Sequence, residues 1–247
     1  MRRALIHYHG TPISNGGGSQ YKSRFYTGRH AFVSFADQDD LQIALECCQS
    51  IALDNGAFTN WKKGGEIDVP AYMAWASSLG HCVDFAVIPD VIGGTVDQNA
   101  DLLVQWLRAA PSVVGVPVYH MHEPLEYLAE LVADWNMIAI GSSGEWPTPG
   151  AVRWWRRMSE VMQVVCDQNG RPRCRVHGLR MLSPDVFQHL PLYSADSTNA
   201  GVNAGSISRF GIYTPVTAAQ RACIIADRIE QYNSPFEWTA PPQIDLL

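Results

Sequence analysis

Apolar residues recur along the chain in short runs, each closed by a polar or glycine-rich turn. The runs are Ala4–Tyr8, Ala31–Phe35, Ile51–Asp54, Asp84–Pro89, Gly115–His120, Met137–Gly141, Cys174–Gly178 and Leu192–Asp196. Phe85-Ala86-Val87-Ile88, Val116-Pro117-Val118-Tyr119 and Met137-Ile138-Ala139-Ile140 hardly alternate with polar positions. Such continuity suits parallel strands covered on both faces. Amphipathic helical patterns fill most of the gaps, at Asp40–Ser50, Val69–Leu79, Val96–Ala109, Pro124–Trp135, Gly150–Asp167 and Pro184–Leu190, with Thr217–Gln231 after the last run. Thr148-Pro149 and Ser183-Pro184 set a capping residue before a proline, a helix-start signal. Alternating strands and helices predict an α/β chain with a parallel sheet, a (β/α)8 TIM-type barrel. The gap from Gly10 to His30 holds Gly16-Gly17-Gly18 and no helical period, so it reads as a long functional loop. The segment from Ser234 onward is proline-rich and reads as irregular. With no repeat or linker, residues 1–247 read as a single domain.

The length of 247 residues agrees with this, since one such barrel takes roughly 250. At 47% hydrophobic and 17% charged residues, the chain can bury a large core and does not resemble a disordered one. The net charge of −6 does not advertise a nucleic-acid binder, although a local basic face can act regardless of the total. The six cysteines form no C-x-x-C pair and read as free thiols of a reducing compartment. Cys174-x-x-His177 supplies two ligands where a structural zinc site wants four. No apolar leader and no run near the ~20 residues of a membrane span are present, so a cytoplasmic protein without a membrane partner is expected.

In a barrel of this kind the chemistry gathers at the C-terminal ends of the strands. The polar residues expected there are His7 and His9, Asp54-Asn55-Gly56, Asp90, His120 and His122, Gly141-Ser142-Ser143-Gly144-Glu145, His177, and Asp196-Ser197-Thr198-Asn199. An aspartate at a strand end often only caps a helix. Several carboxylates on one rim also suit glycosidic chemistry, in which one attacks the anomeric carbon and another moves protons. No G-x-S-x-G elbow, phosphate-cradling P-loop or H-E-x-x-H string occurs; His122-Glu123 lacks a second histidine at 126.

These strand ends resemble the tRNA-guanine transglycosylase superfamily, and most closely its short phage-type DNA-guanine transglycosylases. Leu53-Asp54-Asn55-Gly56-Ala57-Phe58 resembles the family's D-S-G-G-F-Q segment. Asp84 to Asp90 resembles the strand ending in the base-recognising aspartate. Ile138 to Glu145 resembles the G-G-L-x-x-G-E loop, and Tyr193 to Thr198 the strand carrying the nucleophile. Tyr8 to Ile13 is similar to the opening of the phage-type members. The resemblance spans roughly residues 4 to 205. It implies exchange of guanine in DNA for a 7-deazaguanine such as the 7-cyano base preQ0, through a covalent aspartyl-glycosyl intermediate. Asp196 would be the nucleophile and Asp54 the proton handler. Asp90, His120, Gly141, Ser142, Asn55 and Gly56 would bind the base. No resident cofactor is implied beyond the incoming base. The tRNA enzymes carry a C-x-C-x-x-C…H zinc site after the nucleophile, whereas Cys223 is the only cysteine that follows Asp196 here. That departure favours DNA over tRNA as partner.

Base exchange inside a barrel requires the target nucleotide to leave its stack. Tyr21, Phe25, Tyr26, Phe58, Trp61 and Trp146 are aromatic candidates for that task, and Lys22, Arg24, Arg29, Lys62 and Lys63 are candidate phosphate contacts. A tRNA-acting enzyme, a retaining glycoside hydrolase or nucleosidase, and a non-catalytic nucleic-acid-binding barrel stay open as alternatives. A homodimer is also left open.

Overall fold

The computed structural model describes residues 4–13, 19–109 and 111–240. The Gly16–Gly18 run, Arg2–Arg3 and residues 241–247 lie outside them. Nine strands form one parallel sheet: β1 (Ile6–Gly10), β2 (His30–Ser34), β3 (Ser50–Asp54), β4 (Phe85–Val87), β5 (Gly115–Val116), β6 (Val118–His120), β7 (Met137–Gly141), β8 (Arg175–Gly178) and β9 (Ser194–Ser197). All eight apolar runs form strand. The fifth is split into β5 and β6 at Pro117, whose ring leaves no N–H for the ladder. Its two halves carry the two ends of the sheet: β5 pairs with β4, β6 with β7. The eight runs thus close into a TIM-type barrel, with Pro117 still accepting a hydrogen bond from Ala139 N.

The helices are α1 (Ser19–Tyr26), α2 (Leu41–Cys47), α3 (Ala57–Lys62), α4 (Val69–Leu79), α5 (Val96–Ala109), α6 (Leu125–Asp134), α7 (Val152–Val165), α8 (Pro184–Phe187), α9 (Asn199–Asn203) and α10 (Ala218–Glu230), with a 3-10 turn at Ile207–Phe210. The reading of the first gap as loop alone is corrected by α1. Phe25 and Tyr26 on that helix are fully buried, and the Tyr26 hydroxyl donates to Asp40 at 2.6 Å. Tertiary burial makes this helix where local periodicity did not show it. Thr148-Pro149 forms a turn ahead of α7, which begins only at Val152; Ser183-Pro184 does stand at the start of α8. The start of α10 is a capping box between Thr217 and Gln220, and its apolar stripe of Ala222, Ile225, Ala226 and Ile229 is buried. The tail has neither helix nor strand from Asn233 to Ala240, but Trp238 N donates to Gly170 O at 2.7 Å.

Two apolar layers follow from the period-two alternation of the strands. Tyr8, Phe32, Ala52, Phe85, Val87, Val116, Val118, Met137 and Ala139 fill the barrel interior. Their strand neighbours, such as Val33, Leu53, Ala86, Ile138 and Ala195, pack outward under the helices. Among the described residues no helix is long and apolar enough to cross a membrane.

Candidate active site

Asp54 ends β3 two positions above the interior residue Ala52, and Asp196 lies in β9 two positions above Ser194. Strand alternation therefore turns both carboxylates inward at the C-terminal mouth. Asp54 turns there because Gly56, in the left-handed conformation (φ +78°), reverses the chain directly into α3; a Cβ at Gly56 would sit 2.9 Å from Ala36 N and Cβ.

Burial pushes the Asp54 carboxyl up to about 7; the hydrogen bond from Ser34 opposes the shift, repulsion from Asp196 and Asp90 adds to it, and the Gly56 N–H opposes it in turn. Asp54, Asp196 and Asp90 are close enough for their charges to act on one another. A carboxyl near 7 can both give and take a proton at neutral pH.

Asp196 is held from β8 and the turn after it. Arg180 N donates to Asp196 Oδ1 at 2.8 Å, and Leu182 N donates to the Asp196 carbonyl at 2.9 Å. Beneath it, His177 is fully buried, with Nδ1 2.8 Å from Ser194 Oγ and Nε2 3.4 Å from Asp196 Oδ1. The His177 ring packs against Phe32 and Phe85, both at 5.2 Å between centroids. Oδ1 is thus committed to the protein, which leaves Oδ2 for chemistry.

Asp90 lies beyond the end of β4. Its Oδ1 accepts from Asn55 Nδ2 at 2.6 Å, and its Oδ2 lies 2.8 Å from His120 Nε2. The two groups therefore lie at ion-pair distance, both buried. Burial opposes charge on His120; hydrogen bonding to Asp90 and the charges of Asp90 and Glu123 outweigh it and raise its pKa. Asn55 also donates to Ile88 O at 2.9 Å and accepts from Ala57 N at 2.8 Å, so it ties the β3 turn to the β4 end. Gly141 is needed for close approach, but the neighbour is protein: a Cβ there would lie 3.3 Å from His120 Nδ1. The Ser142 hydroxyl accepts from Trp154 Nε1 at 2.9 Å, which ties it to α7 and leaves its own O–H free to donate.

Other expected site residues fall elsewhere. His7 and His9 point outward from β1, because Tyr8 and Gly10 take the inward positions. His7 Nε2 meets Tyr232 O at 3.0 Å and His9 Nε2 meets Glu230 Oε1 at 2.7 Å. Arg29 precedes β2, at the opposite end of the barrel, and is paired with Asp227 and Glu230. Lys22 is paired with the fully buried Asp40. Neither is free for phosphate, because each neutralises carboxylates of its own fold. Arg24 lines a groove with Tyr21, Val216 and Asp227, away from the carboxylates. Lys62 and Lys63 are exposed just past Asp54, as expected. Of the aromatic candidates, Phe25 and Tyr26 are core, Trp146 lies under Arg157, and Phe58 and Trp61 stand at the mouth. Cys174 packs in the outer layer while His177 points inside, so the pair cannot share an ion. Glu145 is exposed in its turn.

Sequence reasoning missed Arg180, Ser34 and Glu123. Glu123 is buried, with Oε2 accepting from His120 N at 2.7 Å and Oε1 from Asn99 Nδ2 at 2.8 Å; it supports the β6 end structurally. A cavity of about 750 Å³ near Ser50, Asp84 and Arg175 lies at the N-terminal end of the barrel, the face associated with stability.

No family model and no curated protein matches this sequence. Among solved structures, the chain is similar to a protein assigned as a fructose-1,6-biphosphate aldolase from Coccidioides immitis, with a TM-score of 0.57 at 11% identity over 93% of this chain and 91% of that one. It is also similar to a mutant tryptophan synthase alpha-subunit from Pyrococcus furiosus, with a TM-score of 0.52 at 12% identity over 93% of this chain and 98% of that one. The fold is a TIM barrel. Identities this low carry the fold and nothing of the activity. Among the described residues no group of three or more His, Cys, Asp or Glu is placed to hold a metal ion.

Proposed function

We propose that the chain is an enzyme, a DNA-guanine transglycosylase that exchanges guanine for a 7-deazaguanine such as preQ0. The observation that carries this reading is the pairing of a carboxylate with one committed oxygen, Asp196, with a second carboxyl held near 7, Asp54. In the proposed reaction Asp196 Oδ2 attacks C1′ of the target nucleotide as the bond from C1′ to N9 of guanine breaks. Asp54, in its acid form, gives its proton to the departing base. The incoming deazaguanine then loses its N9 proton to the Asp54 carboxylate and attacks C1′. Asp196 leaves, the sugar configuration is retained, and Asp54 is acidic again for the next turnover. Double displacement needs a group that gives and then takes back a proton, and burial together with neighbouring negative charge holds the Asp54 carboxyl near 7.

Asp90 reads the base. A carboxylate offers two oxygens with about four lone-pair sites, of which Asn55 and His120 engage two, so the remainder can accept from the N1–H and exocyclic amine of a guanine-like edge. The backbone of Gly141 and Ser142 completes the pocket. The exchange needs no resident cofactor; the second substrate is the free base. DNA is favoured over tRNA because no C-x-C-x-x-C string follows Asp196.

The test is incubation of purified protein with DNA, or with tRNA, and labelled preQ0. Label in DNA that disappears in Asp196→Ala supports the reading. Label in tRNA alone moves the substrate. Release of free guanine without any incoming base replaces exchange by hydrolysis.

A further inference from the structure

Arg180 is the one described non-glycine residue with a left-handed backbone, at φ +58°. A glycine would take this conformation without the steric cost that a Cβ brings. The backbone there has a clear task, since its N–H holds Asp196 Oδ1. That task needs no side chain, so the reason for an arginine lies in where the guanidinium goes. It lies 4.4 Å from the centroid of the Phe58 ring, and its Nη2 donates to Pro147 O at 3.0 Å in an exposed position. Phe58 also carries Lys62 Nζ at 4.4 Å and stacks on Trp61 with centroids 5.9 Å apart and planes at 26°. Trp61 is 55% exposed. Among the described residues no carboxylate forms an ion pair with Arg180, Lys62 or Lys63, whereas Lys22 and Arg29 are both paired.

We infer that Arg180, Phe58, Trp61 and Lys62 form a subsite for an unstacked nucleotide flanking the target, with its phosphodiester between the guanidinium and the ammonium and its base on the Trp61 face. Unpaired cations interleaved with aromatic faces match the two features of a nucleic-acid strand that is not in a duplex. A guanidinium adds a planar fork suited to phosphate oxygens. In a duplex the flanking base is already stacked, so the Trp61 face is of use only to single-stranded or locally opened nucleic acid. The inference rests on the proposed function for the identity of the target site and extends it to strandedness. It also joins strand binding to the nucleophile, because the residue that grips the phosphate holds Asp196 through its own N–H.

The discriminating variant is Arg180→Gly, which is compatible with the positive φ, keeps the N–H and removes the side chain with its guanidinium. Fluorescence anisotropy with a guanine-containing single-stranded oligonucleotide, read across salt concentrations, measures the subsite without requiring exchange. The expected result is tighter binding of the single strand than of its duplex, a roughly tenfold loss in Arg180→Gly, and a slope of log affinity against log salt shallower by about 0.7 for one lost phosphate contact. A side chain with only a structural role would leave the salt slope unmoved. Trp61→Ala, at an exposed position, is expected to weaken single-strand binding about tenfold and duplex binding little. Wild-type affinity and salt slope in both variants overturn the subsite even if base exchange is observed. Duplex bound more tightly than single strand also overturns it. Loss of affinity in both variants of a protein that exchanges no base keeps the subsite and removes the transglycosylase reading.

Discussion

Strand β1 and its neighbours carry two polar clusters, one on each face of the sheet, and they are built on opposite principles. On the outer face, His9 and Arg29 meet Glu230, and Arg29 also meets Asp227. Burial works against the Glu230 charge, but the hydrogen bond and charge of His9 and the charge of Arg29 win and lower its pKa. On the inner face, Asp54, Asp90 and Asp196 share one mouth with no arginine or lysine ion-paired to them among the described residues, and Asp54 rises to about 7. A cluster whose charges are matched clamps α10 to the barrel. A cluster in which imidazoles alone face three carboxylates leaves one of them, Asp54, raised to about 7. Buried charge by itself does not distinguish the two clusters; how fully it is compensated does.

The largest expected effect breaks the inner cluster at the proposed nucleophile. Asp196→Ala should lower exchange by roughly 10⁴-fold, measured as labelled base entering DNA, while thermal melting shows the fold intact. Asp54→Asn should come next and should separate stability from activity. A carboxyl raised in the fold binds its proton more tightly there than in the unfolded chain. Stability therefore falls as pH rises from about 4 through about 7, and it stays lowered above. The asparagine should remove that slope and stabilise the protein at pH 8 by roughly 2–4 kcal/mol, while exchange falls; urea melts at pH 4, 6 and 8 read the difference. An unchanged slope in Asp54→Asn would place the buried proton on another group.

Glu230→Gln should do the reverse at smaller scale. A lowered carboxyl contributes stability above its ordinary value, and that contribution disappears on acidification through the folded pKa. The variant should lose roughly 1–3 kcal/mol at pH 7, show a flatter decline below about pH 4.5, and keep its activity per folded molecule. The smallest effect is expected from Lys22→Met. It should cost roughly 1 kcal/mol through the buried Asp40, which keeps its bonds from Tyr26 and Ile13, and should leave oligonucleotide affinity and salt slope unchanged. A lost phosphate contact in that variant would return Lys22 to the nucleic-acid interface and blur the contrast between the two clusters.

The alternation of apolar runs and helical patterns determined the barrel by itself, because strands buried on both faces and helices buried on one leave different periods. It also placed Asp54, Asp90, His120 and Asp196 at strand ends, since residue order along a strand is order along the barrel axis. Which way a side chain points was less legible. His9 and Asp196 read alike as polar residues closing apolar runs, yet one faces a helix and the other the mouth. That choice depends on register, and one position decides it. Helix α1 was hidden because its burial against the barrel, rather than its own periodicity, creates it. The pairing of Lys22 and Arg29 with carboxylates up to 201 residues away has no local signature. Arg180 had none either: its left-handed backbone is dictated by the turn over Asp196, and only the closed barrel brings its guanidinium onto Phe58. The sequence alone established which residues could reach the mouth. Tertiary structure decided which of them stay unpaired there, because compensation of charge is a property of neighbours in space.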